Sequence, residues 1–318
     1  MSSAVSAPFA FSNLPVELVR DIFEHVAISD PTTARTLTLV SHAVRHWTDP
    51  FLYHTVVLSS SRSLRSFLTA ISNKPTEFIH TRVQHLGIFA LGPVQSIDRV
   101  LTACRGVRSL ACGFHLPGYK QVQGCDALQA LLGSREQHLL GVSCRDGWDT
   151  ALISPSVTHL RVHLSAVKTG NPDAPVRFAV GTGVPSEPGW EHLASLSSLT
   201  HLAIVSRYTS GMPSTAIMPN LQDLLSLRDT APAGANPPRL ELILIQVLGS
   251  TVETAKMKAA VDAINAAAVE IGGLALRIVA ESAPSSVVRQ WESAVRGGPG
   301  IWEGAESVVR ERLAAASK

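Results

Sequence analysis

The sequence predicts an α+β or α/β chain: three short N-terminal helices, then a solenoid of parallel strands, then a helical C-terminal cap. Three observations carry this expectation. A helix with a wide apolar face opens the chain between Asn13 and Val26. From residue 80 onward a short motif recurs, Φ-x-x-L-x-Φ, where Φ is any apolar residue. The last quarter turns to helical periodicity, interrupted by one strand candidate.

The opening helix is specified residue by residue. Asn13 can cap its first turn, and Pro15 suits an early helical position, where its missing N–H costs nothing. Leu18, Ile22 and Val26 recur every four residues, with Val19 and Phe23 one step round, so the apolar stripe is broad. Glu17 and Asp21 sit near the positive end of the helix dipole. Asp30-Pro31-Thr32-Thr33 marks a turn and a new cap, and Ala34 to Val40 continues as a helix with Leu37 and Val40 three apart. Ser41 can cap a third helix carrying Val44 and Trp47. Asp49-Pro50 is expected to stop it, because a residue before proline is pushed out of the helical region. Phe51 to Leu58, rich in aromatic and β-branched residues, reads as a strand. Three short helices cannot enclose a large core. They should lean on a partner protein, on the following domain, or on both.

The recurring motif predicts the solenoid. Its clearest copies are Val83-Leu86-Ile88, Val107-Leu110-Cys112, Val157-Leu160-Val162 and Leu199-Leu202-Ile204. Weaker ones are Leu139-Leu140-Val142, Leu221-Leu224-Leu225 and Leu240-Ile243-Ile245. With Leu86, Leu110, Leu140, Leu160, Leu202, Leu224 and Ile243 as anchors, the gaps are 24, 30, 20, 42, 22 and 19 residues. Five of these six lie in or close to the leucine-rich-repeat period of about 20–29 residues. The long gap holds 169–175 and 181–185, two Gly- and Pro-rich loop signals. Several copies follow a Pro or Ser turn, such as Ser154-Pro155-Ser156 and Asn236-Pro237-Pro238, as stacked units require. The Asn that consensus repeats place after the strand is missing.

In the C-terminal quarter, Thr251 can cap a helix running through Ile271, which Gly272-Gly273 terminates. Leu274 to Val279 is a strand candidate. Helices from Ser285 to Val295 and from Trp302 to Ala315 come next, separated by Gly297-Gly298-Pro299-Gly300. This segment is expected to close the open end of the repeat array. The chain therefore divides into a flexible N-terminus (1–12), a helical module (13–58), a repeat domain (59–250) and a cap (251–318).

Composition narrows the function. The 318 residues are 45% hydrophobic and 16% charged, which belongs to a globular chain. With 27 basic and 25 acidic residues and no like-charge run, nothing pulls the chain toward nucleic acid or lipid. Neither a secretory signal nor an eighteen-residue apolar span is expected. Cys104, Cys112, Cys125 and Cys144 contain no C-x-x-C pair, and reduced thiols in a cytoplasmic or nuclear protein are the expectation.

Candidate chemistry is sparse. His42 and His46 have a metal-ligand spacing, but the Glu of H-E-x-x-H is absent and no third ligand suggests itself. His159 and His163 share a strand face, expected to be a solvated one. Gly181-x-Gly183 lacks the third glycine of a dinucleotide site. No G-x-S-x-G elbow or P-loop occurs, and Cys104 with His115 has no pattern of a nucleophile pair. No catalytic residue, metal or cofactor is expected. Arg161, His163, Arg207 and Tyr208 are candidates for an exposed recognition face on the repeats.

The N-terminal residues resemble an F-box. Leu14-Pro15-x-Glu17-Leu18-x-x-x-Ile22-Phe23, then Leu37-x-x-Val40-Ser41, then Arg45-x-Trp47, follow the order and spacing of that motif. Ser41 stands where the family often has cysteine. The continuation Asp49-Pro50-Phe51-Leu52-Tyr53-His54 and the stretch from Trp291 through Gly297-Gly298-Pro299 to Trp302 are similar to fungal members. The resemblance implies a substrate receptor of a cullin–RING ubiquitin ligase. Leu14, Pro15, Leu18, Ile22, Phe23, Leu37, Val40 and Trp47 would bind a Skp-type adaptor, joining the cullin ligase core, and the repeat domain would hold a target protein. Two other readings compete: a non-ligase repeat scaffold with a degenerate F-box, and an unrecognised hydrolase.

Overall fold

The computed structural model describes residues 14–90, 92–113, 133–139, 153–167, 177–179, 190–207, 213–229, 239–249 and 254–318. Three helices open the chain: α1 (Val16–Ser29), α2 (Pro31–Leu37) and α3 (His42–His54). Asn13 lies outside the described residues, and Pro15 precedes the first turn without a side-chain cap. The Asp30 carboxylate accepts from the Thr32 and Thr33 amides at 3.0 and 2.8 Å, so α2 starts at Pro31 rather than Ala34 and ends at Leu37. Ser41 caps α3 through the Val44 amide at 3.2 Å.

Pro50 does not stop α3, which continues to His54 and leaves only Thr55–Leu58 as strand β1. An interior proline costs about 3 kcal/mol, and packing around the last turn of the helix offsets it. Helical geometry brings the Tyr53 ring onto Phe67 and edge-on to Phe78, with centroids 6.3 and 5.4 Å apart. Asp49 on the same helix pairs with Lys74, whose ammonium lies 5.5 Å from the Tyr53 centroid and 5.1 Å from that of Phe78. Tertiary packing overrides the local signal. It also ties the N-terminal module to the body of the chain.

From β1 onward, strands and helices alternate. The helices are α4 (Ser61–Ser72), α5 (Thr76–Arg82), α6 (Val94–Ala103), α7 (Trp190–Ser195), α8 (Met218–Asp229) and α9 (Thr254–Ile271). The strands are β2 (His85–Ile88), β3 (Ser109–Cys112), β4 (Glu136–Leu139), β5 (His159–Val167), β6 (Arg177–Ala179), β7 (His201–Arg207), β8 (Leu242–Leu248) and β9 (Ile278–Ser282). They form one sheet in the order β1-β2-β3-β4-β5-β7-β8-β9, parallel throughout, with β6 antiparallel on β5. Parallel neighbours need crossover connections, and the helices supply them. The class is α/β.

Register explains the recurring leucine. Val56, Leu86, Leu110, Gln137, Leu160, Leu202, Ile243 and Ile278 are consecutive partners across the sheet. Two residues on, Leu58, Ile88, Cys112, Leu139, Val162, Ile204, Ile245 and Ala280 form a parallel row on the same face. Both rows join the main core with Leu64, Ile97, Val100, Leu193, Leu221 and Ile264 from the crossover helices.

Two anchors differ from expectation. Leu224 is on α8, where Leu221, Leu224 and Leu225 are buried at the i, i+3, i+4 spacing of a helix, so the motif there is not a strand. Leu140 lies outside the described residues. Its row position belongs to Gln137, a fully buried amide that donates to Ser134 Oγ at 2.7 Å and accepts from the Ser154 amide at 3.2 Å.

Gly106, between α6 and β3, marks a close approach. A Cβ there would meet the His80 carbonyl oxygen at 1.8 Å. Gly106→Ala is expected to destabilise the fold by about 2 kcal/mol, because backbone, not a pliable side chain, must give way. A lowered urea midpoint checks this.

The C-terminal segment crosses the sheet. α9 packs on the core face through Ile264 and Ala268, and the positive φ of Gly272 (68°) and Gly273 (55°) ends it. A 3₁₀ turn at Gly273–Arg277 occupies most of the expected strand, so β9 starts at Ile278. Asn265 then covers the open edge of β9, exchanging hydrogen bonds with Ala280 N and O at 3.0 and 2.8 Å. The last two helices, α10 (Val287–Val295) and α11 (Glu303–Ala316), lie on the other face of the sheet. Trp291 of α10 reaches Ser109 on β3, and Arg312 of α11 donates to the Ile278 carbonyl on β9 at 2.6 Å.

Candidate functional site

Two surfaces hold the residues singled out by the sequence. The first is the N-terminal helix module. Of ten large apolar side chains that stay exposed among the described residues, six fall between residues 16 and 40: Val16, Leu18, Ile22, Ile28, Leu39 and Val40. The other four, Leu227, Val269, Ile271 and Leu313, are spread over the rest of the described residues. Leu18 and Ile22 lie one turn apart, 50% and 42% exposed, and Val40 is 60% exposed. Pro15 is exposed too.

The other four candidates are half-buried. Leu14, Phe23, Leu37 and Trp47 lean into the module, and the Phe23 and Trp47 rings lie 6.4 Å apart. Ala27 is the one α1 residue fully inside. The eight motif residues thus divide evenly between an outward set and a small internal cluster. Val16, Ile28 and Leu39 are exposed apolar residues that the motif does not include. Leu39, 85% exposed, sits in the turn between α2 and α3, where helical periodicity gives no guide to its direction. A cleft of about 270 Å³ separates this module from the end of α10, lined by Ile28, Arg35, Phe51, His54, Val295 and Arg296 among others.

The second surface is the sheet face opposite the core. Because strand side chains alternate, the residues flanking each leucine anchor point there. One row reads Thr55, His85, Ser109, Glu136, His159, His201 and Leu242. The next reads Val57, Gly87, Ala111, His138, Arg161, Ala203, Leu244 and Val279. The expected solvated face is not what His159 and His163 occupy: both are half-buried, and Trp302, just before α11, stands against His159. His159 stacks on His201 at 4.3 Å with planes 12° apart, and Trp302 stands edge-on to both at 5.3 and 5.7 Å. Thr158 and Thr200 hold the two Nδ1 atoms at 2.9 and 2.8 Å. Glu306 of α11 reaches His201 Nε2 at 3.2 Å.

Trp291 is fully buried. Its Nε1 donates to Ser109 Oγ at 3.0 Å, its ring stands edge-on to Phe89 at 5.9 Å, and it closes on Gly87, where no Cβ would fit. Trp302 Nε1 donates to Glu136 Oε1 at 3.3 Å. Burial opposes ionisation of Glu136, but the charge of His138 and hydrogen bonds from His138, Ser109 and Trp302 outweigh it, holding the carboxyl well below the usual range. Burial pushes His85, His159 and His163 down to about 4, and lowers His54, His138 and His201 as well.

Arg161 and His163 therefore share a face, as the sequence suggests, but Arg161 is wholly buried. Arg207 is exposed at the end of β7. Tyr208 and His115 lie outside the described residues. Burial pushes the Cys104 and Cys112 thiols up to about 12, the opposite of an activated nucleophile. Cys125 and Cys144 lie outside the described residues. His42 and His46 are exposed on α3, and no group of three or more metal-ligating side chains gathers among the described residues. No described helix is long and apolar enough to cross a membrane. Comparison with protein-family models, curated proteins and solved structures returns no match.

Proposed function

We propose that the chain is the substrate-recognition subunit of a Skp–cullin–F-box ubiquitin ligase. The N-terminal module would bind the Skp-type adaptor, and the sheet-and-helix body would hold a target. One observation carries this reading: the outward set Leu18, Ile22 and Val40 matches the motif and stays exposed. Exposing such side chains forfeits about 1.5–3 kcal/mol each of burial, which a permanent partner recovers. The sequential order of parallel strands, each bringing an apolar anchor to one row, supports a divergent repeat array for residues 59–250. Such a receptor needs no catalytic residue. It acts by raising the target's effective concentration near the ubiquitin donor.

A scaffold that has lost adaptor binding draws on a different observation. Phe23 and Trp47 pack on each other within the module, as a self-sufficient cluster would. Co-purification separates the two readings. The wild-type chain is expected to capture a Skp-type adaptor, and Leu18→Asp with Ile22→Asp to weaken capture at least about tenfold, the size of one lost apolar anchor. Both positions are exposed, so the melting temperature should stay within a degree or two. A wild-type chain that captures nothing ends the ligase reading and leaves the scaffold.

A further inference from the structure

Arg161 is fully buried, and among the described residues no carboxylate is hydrogen-bonded to it, although Glu281 and Glu136 lie within reach of its charge. Its Nη2 donates to Gln246 Oε1, while Nε and Nη1 meet no partner among the described residues. Glu281 could neutralise it, but Glu281 Oε1 accepts from Gln246 Nε2 at 2.6 Å instead. The amide stands between cation and acid, and the guanidinium fork is left open. Buried charge with unused donors is costly, and a purely structural arginine would close on the acid.

Its surroundings extend the same chemistry. His138, the partner of Arg161 on β4, also has an Nδ1 without a partner among the described residues. His163 lies two residues on along the same face, within the fields of Arg161 and Arg207. Arg161 is the third of the nine residues of β5, and Gln246 on β8 and Glu281 on β9 extend the polar cluster across the sheet. Overhead is α10, where Gln290 Oε1 lies 3.4 Å from Gln246 Nε2 and Trp291 stands edge-on to His138 at 6.4 Å. Gly297, at φ 89° with open space around its Cα, comes directly after α10 and can serve as its pivot.

We propose that Arg161 anchors an oxyanion-binding site between β5 and α10, with α10 as its lid. The ligand group is a phosphate or a carboxylate, which would take the two open N–H donors of the guanidinium in the bidentate manner that suits both. The site stands independently of the ligase reading, since a chain that captures no adaptor would still bind the anion.

The purified chain is melted at constant ionic strength in anion-free buffer, with inorganic phosphate, with acetate, and with a phosphoserine hexapeptide. Wild type is expected to gain about 2 °C at tenfold excess over the dissociation constant. Arg161→Met should melt higher than wild type without anion and show no gain with it, because no unpaired charge remains. A gain with phosphate or acetate identifies a free anion as sufficient. A gain with the peptide alone identifies a side chain of a partner. If Arg161→Met does not fold, Arg161→Lys should bind the anion at least about tenfold more weakly, having lost the fork. No gain in wild type with any probe overturns the site. Equal gains in wild type and variant also overturn it, since they report only the general stabilisation that such anions give.

Discussion

Acidification from pH 7.5 to pH 5 is expected to lower the stability of the protein measurably, with the loss set by histidines that burial keeps neutral in the folded state. The folded state holds His85, His159 and His163 at about 4, against an ordinary value of 6.5. Above pH 6.5 neither the folded nor the unfolded chain protonates them, and they add no pH dependence. Below it the unfolded chain takes up protons that the folded chain refuses, so stability falls until about pH 4 and then levels. By pH 5 the loss is at most about 1 kcal/mol each for the part-exposed His85 and His159, where solvent screens the effect, and somewhat more for His163, against a typical total of 5–15 kcal/mol. His54, His138 and His201 are lowered in the same direction.

The groups around His159 do not reverse the sign. Glu136 and Glu306 favour its charged form, but burial, with His201 and His138 alongside, prevails. Glu136, held below the usual carboxylate range, loses its contribution only at lower pH. Urea midpoints at pH 7.5, 6 and 5 check this expectation, and His159→Gln should flatten the slope between the last two. A midpoint unchanged across the range would show that the face is open to water and not covered.

These histidines show what was legible in the sequence and what was not. Leu86, Leu110, Leu160, Leu202 and Ile243 are readable as one row because each buries the same kind of surface at the same register. His85, His159 and His201 are readable too, each standing directly before such an anchor and so on the opposite face. A polar residue there reads as solvated unless something covers it, and the cover comes from Trp291 and Trp302, far along the chain. The Trp291–Ser109 hydrogen bond spans 182 residues, beyond any local periodicity. Leu224 misleads for a simpler reason: a three-residue spacing fits one helix face as well as Φ-x-x-L. Pro50 misleads because the aromatic cluster around Tyr53 outweighs a local penalty. In the N-terminal module the motif order is visible, whereas the division between outward Leu18, Ile22 and Val40 and inward Phe23 and Trp47 is not. Both sets are apolar, and only packing assigns them.

Truncating Trp291 is expected to give the largest single-site loss, about 3–5 kcal/mol for Trp291→Ala. Three terms combine in that figure. The indole is fully buried, Gly87 beneath it has no side chain to fill the gap left behind, and Ser109 loses its donor. Trp291→Phe should recover the packing but not the hydrogen bond, and so cost about 1–2 kcal/mol in a buried site. Comparing the two separates cavity from polar cost. The location of the loss matters as much as its size. If α10 is a lid held chiefly by this side chain, Trp291→Ala should raise amide exchange first along α10 and on β3 and β4 beneath it, while the amides of β7 and β8 stay protected. If α10 and α11 are instead inseparable from the sheet, exchange should rise everywhere together, in one cooperative transition. Hydrogen exchange at constant pH decides between them, and a uniform rise would remove α10 as a lid for the Arg161 site.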